Sequence, residues 1–187
     1  MHLPQLHPRR SIGVAVLAGA AALAPVAALV ATAPAPPAGA VGAPPCPTSG
    51  LVIWMNTEGN GTAGSIYYDL EFTNLSGKTC TMYAFPGVSA VNLAGKQIGS
   101  AAHYNSQKKP VVVTLANTGT ATAIVGVVDT GVFPPSKCHQ VSAAGLRVYP
   151  PDQSTARFVP FPFLACSRSG PIFLKVQPIE KAVFGWS

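Results

Sequence analysis

The stretch SIYYDLEFTN, residues 65 to 74, alternates in character over almost its whole length. Ile66, Tyr68, Leu70 and Phe72 fall on one side, and Tyr67, Asp69, Glu71 and Thr73 on the other. Successive strand side chains point to opposite faces, so this pattern predicts a strand half-buried in a sheet. The pattern returns in PIFLKVQ (171–177), with Ile172, Leu174 and Val176 directed inward and Lys175 and Gln177 outward. Less regular strand candidates are 51–55, 88–93, 111–116, 120–128, 145–149 and 156–161, each bounded by Gly, Pro, Asn or Ser. After residue 45 no stretch sets apolar residues at helical spacing against a charged face, so no helix is predicted there. Short strands in roughly 140 residues, joined by long polar connections at 56–64, 99–110 and 129–144, predict an all-β domain. The expected architecture is an antiparallel two-sheet β-sandwich, immunoglobulin-like or Greek-key, with a small β-barrel as the alternative. Trp54, Tyr68, Phe72, Ile124 and Leu174 are the expected core members.

The first 45 residues have a different character. A basic start ending in Arg9 and Arg10 precedes an uncharged, alanine-rich stretch from Ser11 to Thr32 and an Ala/Pro/Gly run up to Pro45. That order predicts a cleaved secretory signal, with small residues for the peptidase at Ala38 and Ala40; Ala31 and Ala33, or a cut near Ala43, are alternatives. A retained membrane anchor is the competing reading, since a span needs roughly 20 apolar residues, and Gly13, Gly19 and Pro25 count against it. The paired arginines partly match a twin-arginine signal, and ordinary export fits equally. Pro44 and Pro45 exclude Cys46 as a lipid-anchoring cysteine. The division is therefore a leader over 1–45 and one domain over 46–187, secreted or cell-wall associated, monomeric and without stable membrane insertion.

All four cysteines, Cys46, Cys80, Cys138 and Cys166, lie in the domain. An even number in an exported chain favours two disulfides, each contributing roughly 2 to 4 kcal/mol. Three pairings exist; Cys46 with Cys80 and Cys138 with Cys166 is preferred because these close local loops. No cysteines are spaced CxxC, and only His103 and His139 follow the leader, so neither a metal nor another cofactor is expected. From residue 46 onward ten basic residues stand against six acidic ones, a net charge of +4. The basic residues are scattered, which argues against nucleic acid as a partner and leaves weak attraction to anionic envelope polymers.

The heptapeptide NLSGKTC (74–80) ends like a phosphate-binding loop. Such a loop needs a glycine five residues ahead of its Gly-Lys pair, and Phe72, inside the predicted strand, occupies that position. Asn74, Ser76 and Gly77 therefore read as a hairpin corner, with Lys78 as a solvated turn residue. The alternating strand followed by TNLSGKTCTMYAFPGV is similar to the exported actinobacterial family catalogued as domain of unknown function 4232. The match runs through Thr73, Asn74, Ser76, Gly77, Thr79, Cys80, Thr81, Pro86, Gly87 and Val88, with Ala84 and Phe85 where the family usually has Gly and Tyr. Cys46, Cys138 and Cys166 also fall where that family places cysteines, so the resemblance covers about residues 46–178. It implies an all-β, disulfide-bearing exported domain and brings no catalytic residues.

Chemistry has little else to rest on. There is no GxSxG elbow, and nothing in the order of residues unites Asp69, Asp129 or Asp152 with His103 or His139. Asp69 and Glu71 share a strand face within about 7 Å, close enough for a carboxylate pair, yet read as solvent-facing decoration. Two sequons, at Asn60 and Asn74, matter only in a eukaryotic secretory pathway. Trp54, Tyr67, Tyr83, Tyr104 and Trp186 are the aromatic residues able to stack on sugars. The expected function is a non-enzymatic exported domain that binds a protein, a glycan or another envelope component. The alternatives are a hydrolase or metal-dependent redox enzyme resting on His103 or His139, and a tethered structural module that keeps its leader.

Overall fold

The structure, a computed structural model, describes residues 42–182. The expectations for the leader up to residue 41 and for Trp186 lie outside that range. Twelve strands follow in order: β1 (Leu51–Met55), β2 (Asn60–Thr62), β3 (Ser65–Asn74), β4 (Cys80–Met82), β5 (Gly87–Val91), β6 (His103–Tyr104), β7 (Val113–Leu115), β8 (Thr120–Val128), β9 (Gln140–Tyr149), β10 (Arg157–Cys166), β11 (Leu174–Val176) and β12 (Glu180–Lys181). Among the described residues helix is confined to one turn, α1 (Pro135–Cys138), and two 3-10 turns.

The strands form a seven-stranded sheet in the order β1-β3-β8-β11-β6, with β2 pairing β3 and β12 pairing β8, a three-stranded sheet β10-β9-β5, and a two-stranded sheet β4-β7. None of these closes into a barrel. Pairing is antiparallel except between β11 and β6, where the two-residue strand β6 joins in parallel. The loop expected at 129–144 instead holds a 3-10 turn, α1 and the first half of β9.

Large residues on β3 face small ones on β8. Phe72 is opposite Ala121 and Leu70 opposite Ala123, and all four are buried. Leu146, Val148 and Val159 of the three-stranded sheet, and Met82 and Leu115 of the two-stranded one, belong to the same hydrophobic cluster. Two core expectations are corrected. Trp54 is 42% exposed, and Ile124 is only half-buried, because both side chains stand on the outer face of the large sheet. Tyr68, also half-buried, packs against this core and meets Phe161 edge-on at 4.8 Å. In 171–177 the strand begins only at Leu174, so the phase before it is lost: Ile172 is exposed and Phe173 fully buried.

NLSGKTC is a corner, but not of a hairpin. β3 already has β1 on one side and β8 on the other at this end, which leaves β4 to pair with β7 instead. Gly77 turns the chain at φ 77°, where a side chain would be strained. Asn74 is completely buried. Its side-chain amide donates to the carbonyls of Lys78 (2.8 Å), Leu115 (3.1 Å) and Ala116 (3.1 Å), and its Oδ1 accepts from the Ser76 N–H and hydroxyl at 3.0 and 2.7 Å. One side chain therefore joins this corner to the loop after β7.

Disulfides link Cys46 to Cys80 and Cys138 to Cys166. The first ties down the entering chain, whose residues 44–46 lie along β4: Thr81 N–H donates to the Pro44 carbonyl (2.8 Å) and Cys46 N–H to the Thr81 carbonyl (2.9 Å). The second joins α1 to the end of β10. No helix among the described residues is long and apolar enough to cross a membrane.

Candidate functional site

Register pairing sets one row of residues across five strands of the large sheet: Asn60 on β2, Tyr67 on β3, Gly126 on β8, Lys175 on β11 and His103 on β6. Tyr67 and Lys175 thus share the outer face, as the alternation predicts. Gly126 explains how the row is filled. A Cβ there would stand 2.9 Å from Tyr67 Cε1 and 3.8 Å from Lys175 Cβ, so the Tyr67 ring lies across bare backbone. Only glycine admits so close an approach in mid-strand. At the sheet edge, Tyr104 is half exposed, and its ring stacks on Phe85 with centroids 4.7 Å apart and planes at 15°.

Along this row opens a cleft of about 450 Å³, lined by Tyr67, His103, Tyr104, Asn105, Gln107 and Lys175 among others. The Asn105 N–H donates to the Val176 carbonyl (2.8 Å), and its Oδ1 accepts from the Gln107 N–H (3.2 Å), which shapes one wall. No carboxylate among the described residues lines the cleft. The one ion pair among the described residues, Lys108 with Glu180 at 2.9 Å, leaves the Lys175 amine without an acidic partner.

Asp69 and Glu71 do not simply face solvent. They line a smaller cavity, about 190 Å³, with Thr122, Pro178, Glu180 and Lys181, because the chain after β11 runs on beside β8 as β12. Glu71 is only 6% exposed, and its Oε2 accepts a 2.7 Å bond from the Thr122 hydroxyl. Burial pushes the Glu71 carboxyl above its ordinary 4.5; the Thr122 bond opposes the shift and the nearby Asp69 charge adds to it.

The remaining sequence candidates stay apart. His103 sits exposed in the outer row. His139 caps α1 in a left-handed conformation at φ 49°, with Nδ1 3.0 Å from the Ser167 hydroxyl, which itself donates to the His139 carbonyl at 2.8 Å. That hydroxyl has spent its proton, so His139 Nδ1 is the donor. No hydrogen bond joins either histidine to Asp69, Asp129 or Asp152 among the described residues, and no three His, Cys, Asp or Glu there gather as a metal-ligand set. At the NLSGKTC corner, Gly77 N–H donates to Asn117 Oδ1 (2.9 Å) and Ser76 N–H to Asn74 Oδ1 (3.0 Å). Amides that would cradle a phosphate are thus committed internally.

An all-β domain with two disulfides, little helix and a buried asparagine at its Thr-Asn corner is the class of protein these observations define. The chain belongs to the family described as domain of unknown function DUF4232, which matches residues 46–179. No curated protein and no solved structure matches it. Of the residues lining the cleft, Tyr67, Tyr104 and His103 were among the candidates the sequence offered. Asn105 and Gln107 were not, and the available signal was Gly126, a lone glycine inside the otherwise apolar strand TATAIVGVV.

Proposed function

We propose that this chain is an exported, non-enzymatic domain that binds a protein, glycan or other component of the cell envelope through the outer face of its seven-stranded sheet. The single observation that carries the reading is the close packing of the Tyr67 ring on the Gly126 backbone. An aromatic ring held across backbone beside an open polar cleft is a ready contact surface. In this reading the seven-stranded and three-stranded sheets are the two layers of an immunoglobulin-like or Greek-key sandwich. Support comes from their shared core, in which Leu70, Phe72 and Val125 join Leu146, Val148 and Val159. The leader is removed on export, and the domain acts as a monomer in an actinobacterial envelope. Two disulfides and a net charge of +4 from residue 46 onward suit an oxidising compartment and anionic envelope polymers.

The test is retention. Protein purified from culture medium and immobilised is expected to capture a discrete component from envelope fractions, and Tyr67→Ala with Tyr104→Ala is expected to lose it while still unfolding in one cooperative transition. Equal capture by wild type and double variant would place binding elsewhere and overturn the reading.

A further inference from the structure

The chemistry of the cleft narrows its ligand. It offers an aromatic ring at one end, amides along one wall and a cation in the row beside them. A tyrosine ring is electronegative and apolar on its face and suits the C–H face of a pyranose. Tyr67 is braced by the Gly126 backbone, so its ring need not be ordered on binding. From Tyr67 on β3 to His103 on β6 is three strand spacings, about 14 Å, a span for several linked sugars rather than one. Asn105 and Gln107 supply side-chain amides that can both donate to and accept from ring hydroxyls.

Charge decides the rest. Lys175 stands in the row, exposed and without an acidic partner among the described residues. His103 shares the row, and Glu180 on β12 is taken up by Lys108. A neutral sugar leaves the Lys175 amine to water, whereas a carboxylate or phosphate on the sugar meets it directly. We infer that the cleft takes an anionic oligosaccharide, with a sugar ring on Tyr67 and its acidic group on Lys175. This rests on the sheet face being the binding surface.

Affinity gel electrophoresis of the secreted protein in polygalacturonate and in dextran tests it, beside capture from envelope fractions. Polygalacturonate is expected to retard the wild type and dextran much less, with the retardation falling as salt rises. Tyr67→Ala should weaken polygalacturonate binding about tenfold while Tyr67→Phe stays near wild type. Lys175→Gln should lose about three- to fivefold and with it most of the preference over dextran. Equal retardation by both polymers, or a preference that survives Lys175→Gln, overturns the anionic ligand. Envelope capture that depends on Tyr67 without any polygalacturonate binding overturns it too, and leaves the sheet-face reading standing. Loss of both refutes the two together.

Discussion

Asn74 shows what a single buried amide can hold in place. Its side chain donates to three carbonyls from two separate segments, and an alanine there would remove the buried amide that ties them together, leaving the Ala116 carbonyl only the Gly119 N–H and the Lys78 carbonyl only the Ser76 hydroxyl. Asn74→Ala is therefore expected to cost about 2 to 4 kcal/mol, read as a lower urea midpoint at unchanged slope; an unmoved midpoint would contradict this account. Its neighbourhood was legible as a turn from Ser76 and Gly77. Its burial was not, because the loop that covers it returns from forty residues away. Ala84 is the converse case. It adopts φ 71°, a left-handed conformation that strains a side chain, while its carbonyl accepts the Ile179 N–H at 2.8 Å. The family resemblance puts glycine at this position, and the geometry gives the reason. Ala84→Gly should raise stability by about 0.5 to 1 kcal/mol, the relief of strain exceeding glycine's added chain entropy; thermal unfolding measures it.

At the scale of elements, β3 shows how far alternation can be trusted. It assigned Leu70 and Phe72 inward and Tyr67 outward correctly, since those depend on one sheet and one core. It placed Glu71 in solvent, and failed because Trp54 on β1 and Thr122 on β8 flank it in register and β12 extends the row beyond β8. A local pattern carries no record of such neighbours. The burial has a pH signature. With the folded carboxyl raised above 4.5 by burial, the unfolded chain releases that proton first. Stability contributed by Glu71 is thus full below the unfolded value and falls as pH rises through the folded one. Glu71→Gln, which can still accept from Thr122, is expected to gain on the wild type between pH 4 and pH 7. Urea unfolding at both pH values reads the difference, and a constant gap would remove Glu71 as the source. β6 was missed for a related reason: two residues joined in parallel to a three-residue partner have no periodicity of their own to read.

Across the whole molecule, strand content and the paired cysteines were readable because both follow from local composition and short loops. The order of strands was not, since it depends on which edges remain free. That order is also what assembles the cleft: β3, β8, β11 and β6 are scattered from residue 65 to residue 176 and meet only in the sheet. The buried amide at position 74 bears, finally, on how this protein can be manufactured. Asn74, Leu75 and Ser76 form an acceptor triplet for the sugar transferase of eukaryotic cells, which acts on chains before they fold. A glycan attached there would replace a proton needed inside the core, whereas one on the exposed Asn60 would project into water. Yeast or mammalian hosts would thus divide their output into a foldable fraction and one blocked at this nitrogen, while a bacterial host lacking that enzyme would not.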